Sequence, residues 1–250
     1  MPTPVIEPVR QTGEPVITGP SLFWVNPGES GAILAAARNR NGRRHHLFHS
    51  NLLEIPDKKG SLFWAGPALG APAAVLVLEK LIALGARTIV VYGLCGSLHP
   101  DLRIGDVLLP TWALSEEGTS AHYPGPSPPC SDRELRGKLA ALLAADGHAP
   151  CQGPIWTTDA PYRETKEKVD SCAGQGIMAV DMEYSALCRV AFFRHVDLAA
   201  VMLVSDELWR QQWTPAFHRK SFHKLSRRLF LGLADGLRRL TTPTAGKDVS

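Results

Sequence analysis

The feature that most constrains the fold is a set of nearly continuous apolar runs of strand length, separated by stretches with helical period. Thr88–Gly93 (TIVVYG) and Leu198–Ser205 are almost wholly apolar, as strands covered on both faces of a parallel or mixed sheet must be. Val107–Trp112 reads as a further buried strand, and Ser21–Val25, His46–Ile55 and Ser61–Gly66 as strands bounded by Gly, Pro or Asn. The first helix is expected after Ser61–Gly66. Pro72 suits its first turn, Val75, Leu78 and Ile82 share one face, and Gly85 stands where a C-terminal cap belongs. Asp132–Ala145 turns Leu135, Leu139 and Leu142 inward, and a helix from near Met182 presents Met182, Ala186, Val190 and Phe193. The last helix, about Phe217–Leu240, stripes Phe222, Leu225, Leu229, Leu233 and Leu237, with Arg227, Arg228, Arg238 and Arg239 largely off the stripe. This alternation predicts an α/β layered fold with ligands at the carboxyl ends of strands. Three segments are singled out: Gly93–Leu98, Trp156–Glu164, and Asp181–Glu183 with Ser205–Asp206.

Residues 1–19 are expected to form an extended arm, because closely spaced prolines fix φ and remove backbone donors. Residues 20–240 read as one domain and 241–250 as a polar, fraying tail. The start lacks the basic and apolar runs of a secretory signal, and no apolar stretch approaches the length of a bilayer span, so neither export nor a membrane role is expected. A formal charge of +3 with dispersed basic residues gives no footprint for a nucleic acid. The five cysteines form no C-x-x-C pair, which speaks against a zinc knuckle or disulfide framework and for a reducing cytoplasm. His45 and His49 have the spacing of helical metal ligands, yet lie in a segment read as strand with no third ligand, so no metal is expected.

Three groups could carry chemistry. The glycine-containing turn Gly93–Ser97 lets a ligand approach the backbone, although it lacks the order of a dinucleotide or triphosphate loop. Asp181, Met182 and Glu183 stand at a strand-to-helix junction, where a carboxylate can accept two hydrogen bonds from a vicinal diol; the same residues fit a helix cap and an acidic first turn. Asp206 ends an apolar strand, and burial there raises a carboxyl pKa toward that of a general acid.

Taken together, AGPALGAPAAVLVLEKLIALGA, VVYGLCGSLHPDLRIGDVLLPTWALSEEGTSAHY, TTDAPYRET, AVDMEYSAL and VSDELW, in that order across Ala65–Leu240, resemble the nucleoside phosphorylase superfamily of purine nucleoside and uridine phosphorylases and methylthioadenosine nucleosidases. The resemblance implies a mixed central sheet flanked by helices, assembled as dimers that commonly combine into hexamers. It also implies cleavage of a nucleoside's N-glycosidic bond, with phosphate as co-substrate and no cofactor. On that template Glu183 grips the ribose hydroxyls, Met182 packs on the sugar, Tyr162 lies against the base and Cys95-Gly96 lines the base pocket. Asp206 matches the aspartate that serves the purine near N7, and Arg219 its helper arginine.

Departures from the pattern concentrate on phosphate. Purine phosphorylases of this kind carry arginine and serine or threonine where this chain has Val91 and Leu94, and the early Gly-Asp-Pro-x-Arg loop is replaced by Asn26-Pro27-Gly28-Glu29-Ser30. Glu29 would repel phosphate. Arg43, Arg44 or His45, from this subunit or a neighbour, and Ser30, Thr119 and Ser120 are the remaining candidates for an anion. Phosphorolysis of a purine nucleoside leads. Behind it stand hydrolysis with Glu29 as base, a uridine phosphorylase, and a non-catalytic nucleoside-binding protein.

Overall fold

Buried apolar residues alternate between two faces of one mixed sheet, and each face is covered by its own helices. The computed structural model describes residues 4–58, 60–210 and 212–240; the expected tail at 241–250 lies outside them. The strands are β1 (Ser21–Trp24), β2 (Arg43–Leu47), β3 (Ser50–Asp57), β4 (Gly60–Gly66), β5 (Thr88–Ser97), β6 (Val107–Ser115), β7 (Cys151–Thr157), β8 (Ala179–Asp181), β9 (Asp197–Glu207) and β10 (Thr214–Pro215). Their spatial order is β10-β9-β6-β7-β8-β5-β1-β4-β3-β2, and β5 also pairs with β9 in parallel. Strands β5, β9, β6, β7 and β8 therefore close a ring, from which β1, β4, β3 and β2 extend as an open wing.

The helices are α1 (Ser30–Asn39), α2 (Ala71–Ala83), α3 (Arg133–Ala145), α4 (Lys166–Gly174), α5 (Tyr184–Phe193) and α6 (Lys220–Gly236). Ile89 and Val91 of β5, with Ala200 and Met202 of β9, pack against Val75 and Leu78 of α2 and Leu187 and Val190 of α5. The intervening Val90, Tyr92, Val201 and Leu203 join Ile33 of α1, Leu139 of α3 and Leu229 of α6 on the opposite face. Covering both faces explains why these strands read as unbroken apolar runs. Helix α6 is pinned by Phe230, which meets the rings of Trp24, Trp64 and Tyr92 edge-on at 6.0, 5.4 and 5.8 Å, and by the Tyr92 hydroxyl 2.8 Å from Ser226 Oγ. None of the described helices is long and apolar enough to cross a membrane.

Three sequence expectations change. The strand expected over His46–Ile55 is a hairpin of β2 and β3, because the chain reverses at Phe48, whose φ is +51°. Helix α1 precedes the one expected as first; it buries only Ile33 and Ala37, and its alanines favour helix without drawing an apolar stripe. Helix α4 buries only Val169 and Cys172, and its start is capped by Thr165, which accepts from the Lys168 amide at 3.4 Å.

Candidate active site

A cavity of about 650 Å³ opens at the carboxyl ends of β1, β5, β8 and β9. One irregularity aims its chemistry. Along the β5–β9 ladder Cys95 faces Val204 and Gly96 faces Asp206, so Ser205 is an extra residue on β9. Such a bulge breaks the two-residue alternation of side chains, and Ser205 and Asp206 both line the cavity beside Cys95 and Gly96. Gly96 is needed at this crossing: a Cβ there would come within 2.3 Å of Leu208 Cδ1 and 3.0 Å of Asp206 Oδ2.

Asp206 is 9% exposed. Ser205 Oγ donates to its Oδ1 at 2.7 Å and Trp213 Nε1 to its Oδ2 at 2.8 Å. Burial pushes the Asp206 acid up and these two neutral donors pull it partly back, leaving it above the usual carboxyl range. The Cys95 thiol is pushed far up by burial, with the charges of Asp206 and Asp181 adding to it, so it is a neutral wall rather than a nucleophile.

The other acidic pair sits where β8 runs into α5. Asp181 Oδ1 accepts from Thr157 Oγ1 at 2.6 Å, and Oδ2 accepts from the amides of Glu183 at 3.0 Å and Tyr184 at 2.6 Å. Both oxygens are engaged, so Asp181 ties down the first amides leading into α5 and positions Glu183, which stands at the N-cap. Glu183, 3% exposed, accepts from the Gly70 amide at 2.5 Å to Oε1, the Met182 backbone also favours its ionised form, and the residue lines the cavity, where its carboxylate can meet a ligand diol. Burial raises the Glu183 acid, and the Asp181 carboxylate beside it adds to the effect.

At a third corner of the cavity Glu29, 2% exposed, receives His223 Nδ1 at 2.5 Å on Oε1 and Arg227 Nε at 2.9 Å on Oε2. The turn Pro27–Glu29 follows β1 directly, and α6 supplies both donors one helical turn apart.

The structure thus gathers Cys95, Gly96, Tyr162, Asp181, Met182, Glu183 and Asp206 around one cavity. Tyr162 stands fully exposed at its rim, on the turn Pro161–Arg163. The expected helper Arg219 is corrected: it is exposed at the start of α6, outside the cavity, and Trp213 takes the place beside Asp206. The expected anion ligands stand away from this cavity within the subunit. Arg43 and Arg44 lie exposed on β2, at the far edge of the sheet, where Arg44 Nε donates to Asn51 Oδ1 at 2.7 Å. Thr119 follows β6, its amide donating to Glu117 Oε2 at 2.7 Å. None of the three lines the cavity. Val91 is a core residue, whereas Leu94 borders the cavity.

Sequence reasoning missed Trp213, Glu164, His223 and Arg227. The i, i+4 spacing of His223 and Arg227 was visible, but their partner is 194 and 198 residues away, and no local pattern reveals it.

A family model for the phosphorylase superfamily matches residues 27–233. A guanosine phosphorylase of Halorubrum lacusprofundi is 30% identical over 141 residues, 56% of this chain and 58% of that protein, so the match spans less than two thirds of its length. A DeoD-type purine nucleoside phosphorylase of Caldanaerobacter subterraneus is 29% identical over 158 residues, 62% of this chain and 68% of that one. In fold the chain is similar to uridine phosphorylase from Vibrio fischeri (TM-score 0.75, 18% identity, 88% and 91% of the two chains). It is likewise similar to purine nucleoside phosphorylase from Toxoplasma gondii in complex with immucillin-H (TM-score 0.74, 20% identity, 94% and 93%). With the family match covering most of its length, and the same mixed sheet and helices in its structural neighbours, this chain belongs to the phosphorylase superfamily.

Proposed function

We propose that the protein cleaves the N-glycosidic bond of a purine nucleoside, transferring the pentosyl group to phosphate. The observation that carries this reading is the placement of Glu183 and Asp206, two buried acids, on the wall of one cavity. The Glu183 carboxylate accepts from the ribose diol and fixes the sugar. Protonated Asp206 donates to the purine at N7 as the C1′–N9 bond breaks and its electron pair moves into the base. That donation lowers the cost of departure and leaves an oxocarbenium-like sugar. A phosphate oxygen then bonds to C1′, and the products are the free base and the pentose 1-phosphate.

A second reading has its own observation. Where the resemblance puts a phosphate loop, this chain has the buried carboxylate of Glu29, held by His223 and Arg227. A carboxylate so placed suits proton abstraction from water, which gives hydrolysis with the same base and sugar contacts. We also propose a homo-oligomer, supported by the exposed apolar side chains Ile6, Val9, Phe48 and Leu76 around a separate concavity of about 940 Å³.

Base release from inosine, adenosine, methylthioadenosine and uridine, each with and without phosphate, tests the reading. Release from the purine nucleosides that depends on phosphate supports phosphorolysis, and release independent of it selects water. Asp206→Asn should lower kcat/KM about 10²- to 10⁴-fold in either case. An unchanged rate removes Asp206 from the reaction.

A further inference from the structure

Glu164, which follows the turn Pro161–Arg163, is half-buried and lines the cavity. Its carboxyl makes no hydrogen bond or ion pair among the described residues. The other charged groups around the cavity are committed: Lys166 to Asp170, Arg210 to Glu207, His223 to Glu29, and Asp181 to Thr157 and two amides. Glu183 receives the Gly70 amide. Glu164 and Asp206 line the same cavity, and burial, followed by the Asp206 charge, pushes the Glu164 acid up to about 7. Among the described residues, the cations lining the cavity, Lys166, Arg210 and His223, are each paired with a carboxylate other than that of Glu164.

An acid that lines a ligand cavity with no partner among the described residues is a group suited to pairing with the ligand. In a purine, N7 and the substituent at C6 lie on the same edge of the ring system. A base that presents N7 to Asp206 carries its 6-substituent on that same edge, within the cavity that Glu164 also lines. We propose that Glu164 is the specificity-determining residue for the purine 6-position, its carboxylate accepting from a 6-amino group and its protonated form donating to a 6-oxo group. This assignment rests on the purine reading above. Because Glu164 changes charge near neutrality, the preference turns over with pH: 6-oxopurines are favoured on the acid side and 6-aminopurines on the alkaline side. Titration of Asp206 acts on N7 of either base and on Glu164, so variants that remove the Glu164 carboxyl and keep Asp206 isolate the contribution of Glu164.

The test is equilibrium binding of free adenine and hypoxanthine to the full chain by calorimetry, between about pH 6 and about pH 8. For the natural chain, the ratio of the two affinities is expected to swing about tenfold toward adenine across that range. In Glu164→Gln, whose amide can donate or accept, and in Glu164→Ala, which does neither, the ratio should be flat; the melting temperature checks that each variant folds. A flat ratio in the natural chain, or an equal swing in both variants, overturns the assignment while leaving the purine reading intact. Failure of the natural chain to bind either base at any pH overturns the purine reading and this assignment with it.

Discussion

Replacing Glu29 by glutamine interrogates the corner of the cavity where this chain departs most from the phosphorylase pattern. The carboxylate is 2% exposed and each oxygen takes one donor, His223 Nδ1 at 2.5 Å and Arg227 Nε at 2.9 Å. A glutamine keeps one acceptor and turns its own N–H toward the other donor, so one hydrogen bond is lost and two donors face each other. A hydrogen bond to a charged group contributes about 1.5–3 kcal/mol, and breaking a fully buried ion pair costs about 3–5 kcal/mol. The His223 and Arg227 side chains are 32% and 53% exposed, so water recovers part of the loss. The expected destabilisation is therefore about 1–3 kcal/mol. For a chain of this size that lowers Tm by roughly 2–4 °C per kcal/mol. The kinetic outcome separates the two acceptors. A negative charge some 5 Å from a bound anion repels it by about 3 kcal/mol at an effective dielectric constant near 20, so if phosphate is the acceptor its KM falls in Glu29→Gln. If Glu29 activates water, phosphate-independent release drops about 10²- to 10⁴-fold. Thermal unfolding and base release in paired buffers read both effects. An unchanged Tm together with unchanged rates in both buffers would refute the ion pair and the place of Glu29 in the reaction.

Trp213→Phe removes the indole donor that favours ionised Asp206, so the Asp206 acid rises further and the limb on which kcat/KM falls with increasing pH should move to higher pH; a limb that stays or moves down contradicts the assigned acid. Gly96→Ala drives a methyl group against Leu208 and toward Asp206 Oδ2, and kcat/KM should fall at least ~10-fold with little change in Tm, since the misplaced group is catalytic and Leu208 can turn away; full activity would show that the β5–β9 crossing is not tight. Phe230→Ala empties the point where Trp24, Trp64 and Tyr92 converge and should cost about 3–5 kcal/mol of stability in chemical denaturation; a loss under ~1 kcal/mol would mean that α6 is held by other contacts.

Legibility differed between fold and site. The buried strands β5, β6 and β9 and the helices α2, α3 and α6 were readable because each carries its own apolar pattern, and α2 and α3 carry local end signals as well: Asp132 accepts from the Leu135 amide at 2.7 Å, and Gly85 beyond α2 adopts φ +113°. Helices α1 and α4 were not, since each buries only two side chains and neither draws a stripe. At the site, Asp206 and Glu183 could be found because they end an apolar strand and open a helix, positions that sequence marks. Asp181 fits two readings in the sequence, diol ligand or helix cap, and in the fold its oxygens accept from Thr157 and from the two amides that lead into α5.

The sequence by itself determined the α/β layering, the faces each element buries, and the family, because apolar period, caps and contiguous motifs are properties of residues close together in the chain. The tertiary structure alone decided that β5 and β9 close a ring with a bulge at Ser205, that Trp213 rather than Arg219 attends Asp206, and that Glu29 is gripped by a helix almost two hundred residues later. It also decided that Glu164 shares the cavity with Asp206. The physical reason is common to all four. A hydrogen bond or an electrostatic neighbour acts over a few ångströms of space whatever the separation along the chain, and only the packed sheet and helices bring those distances down.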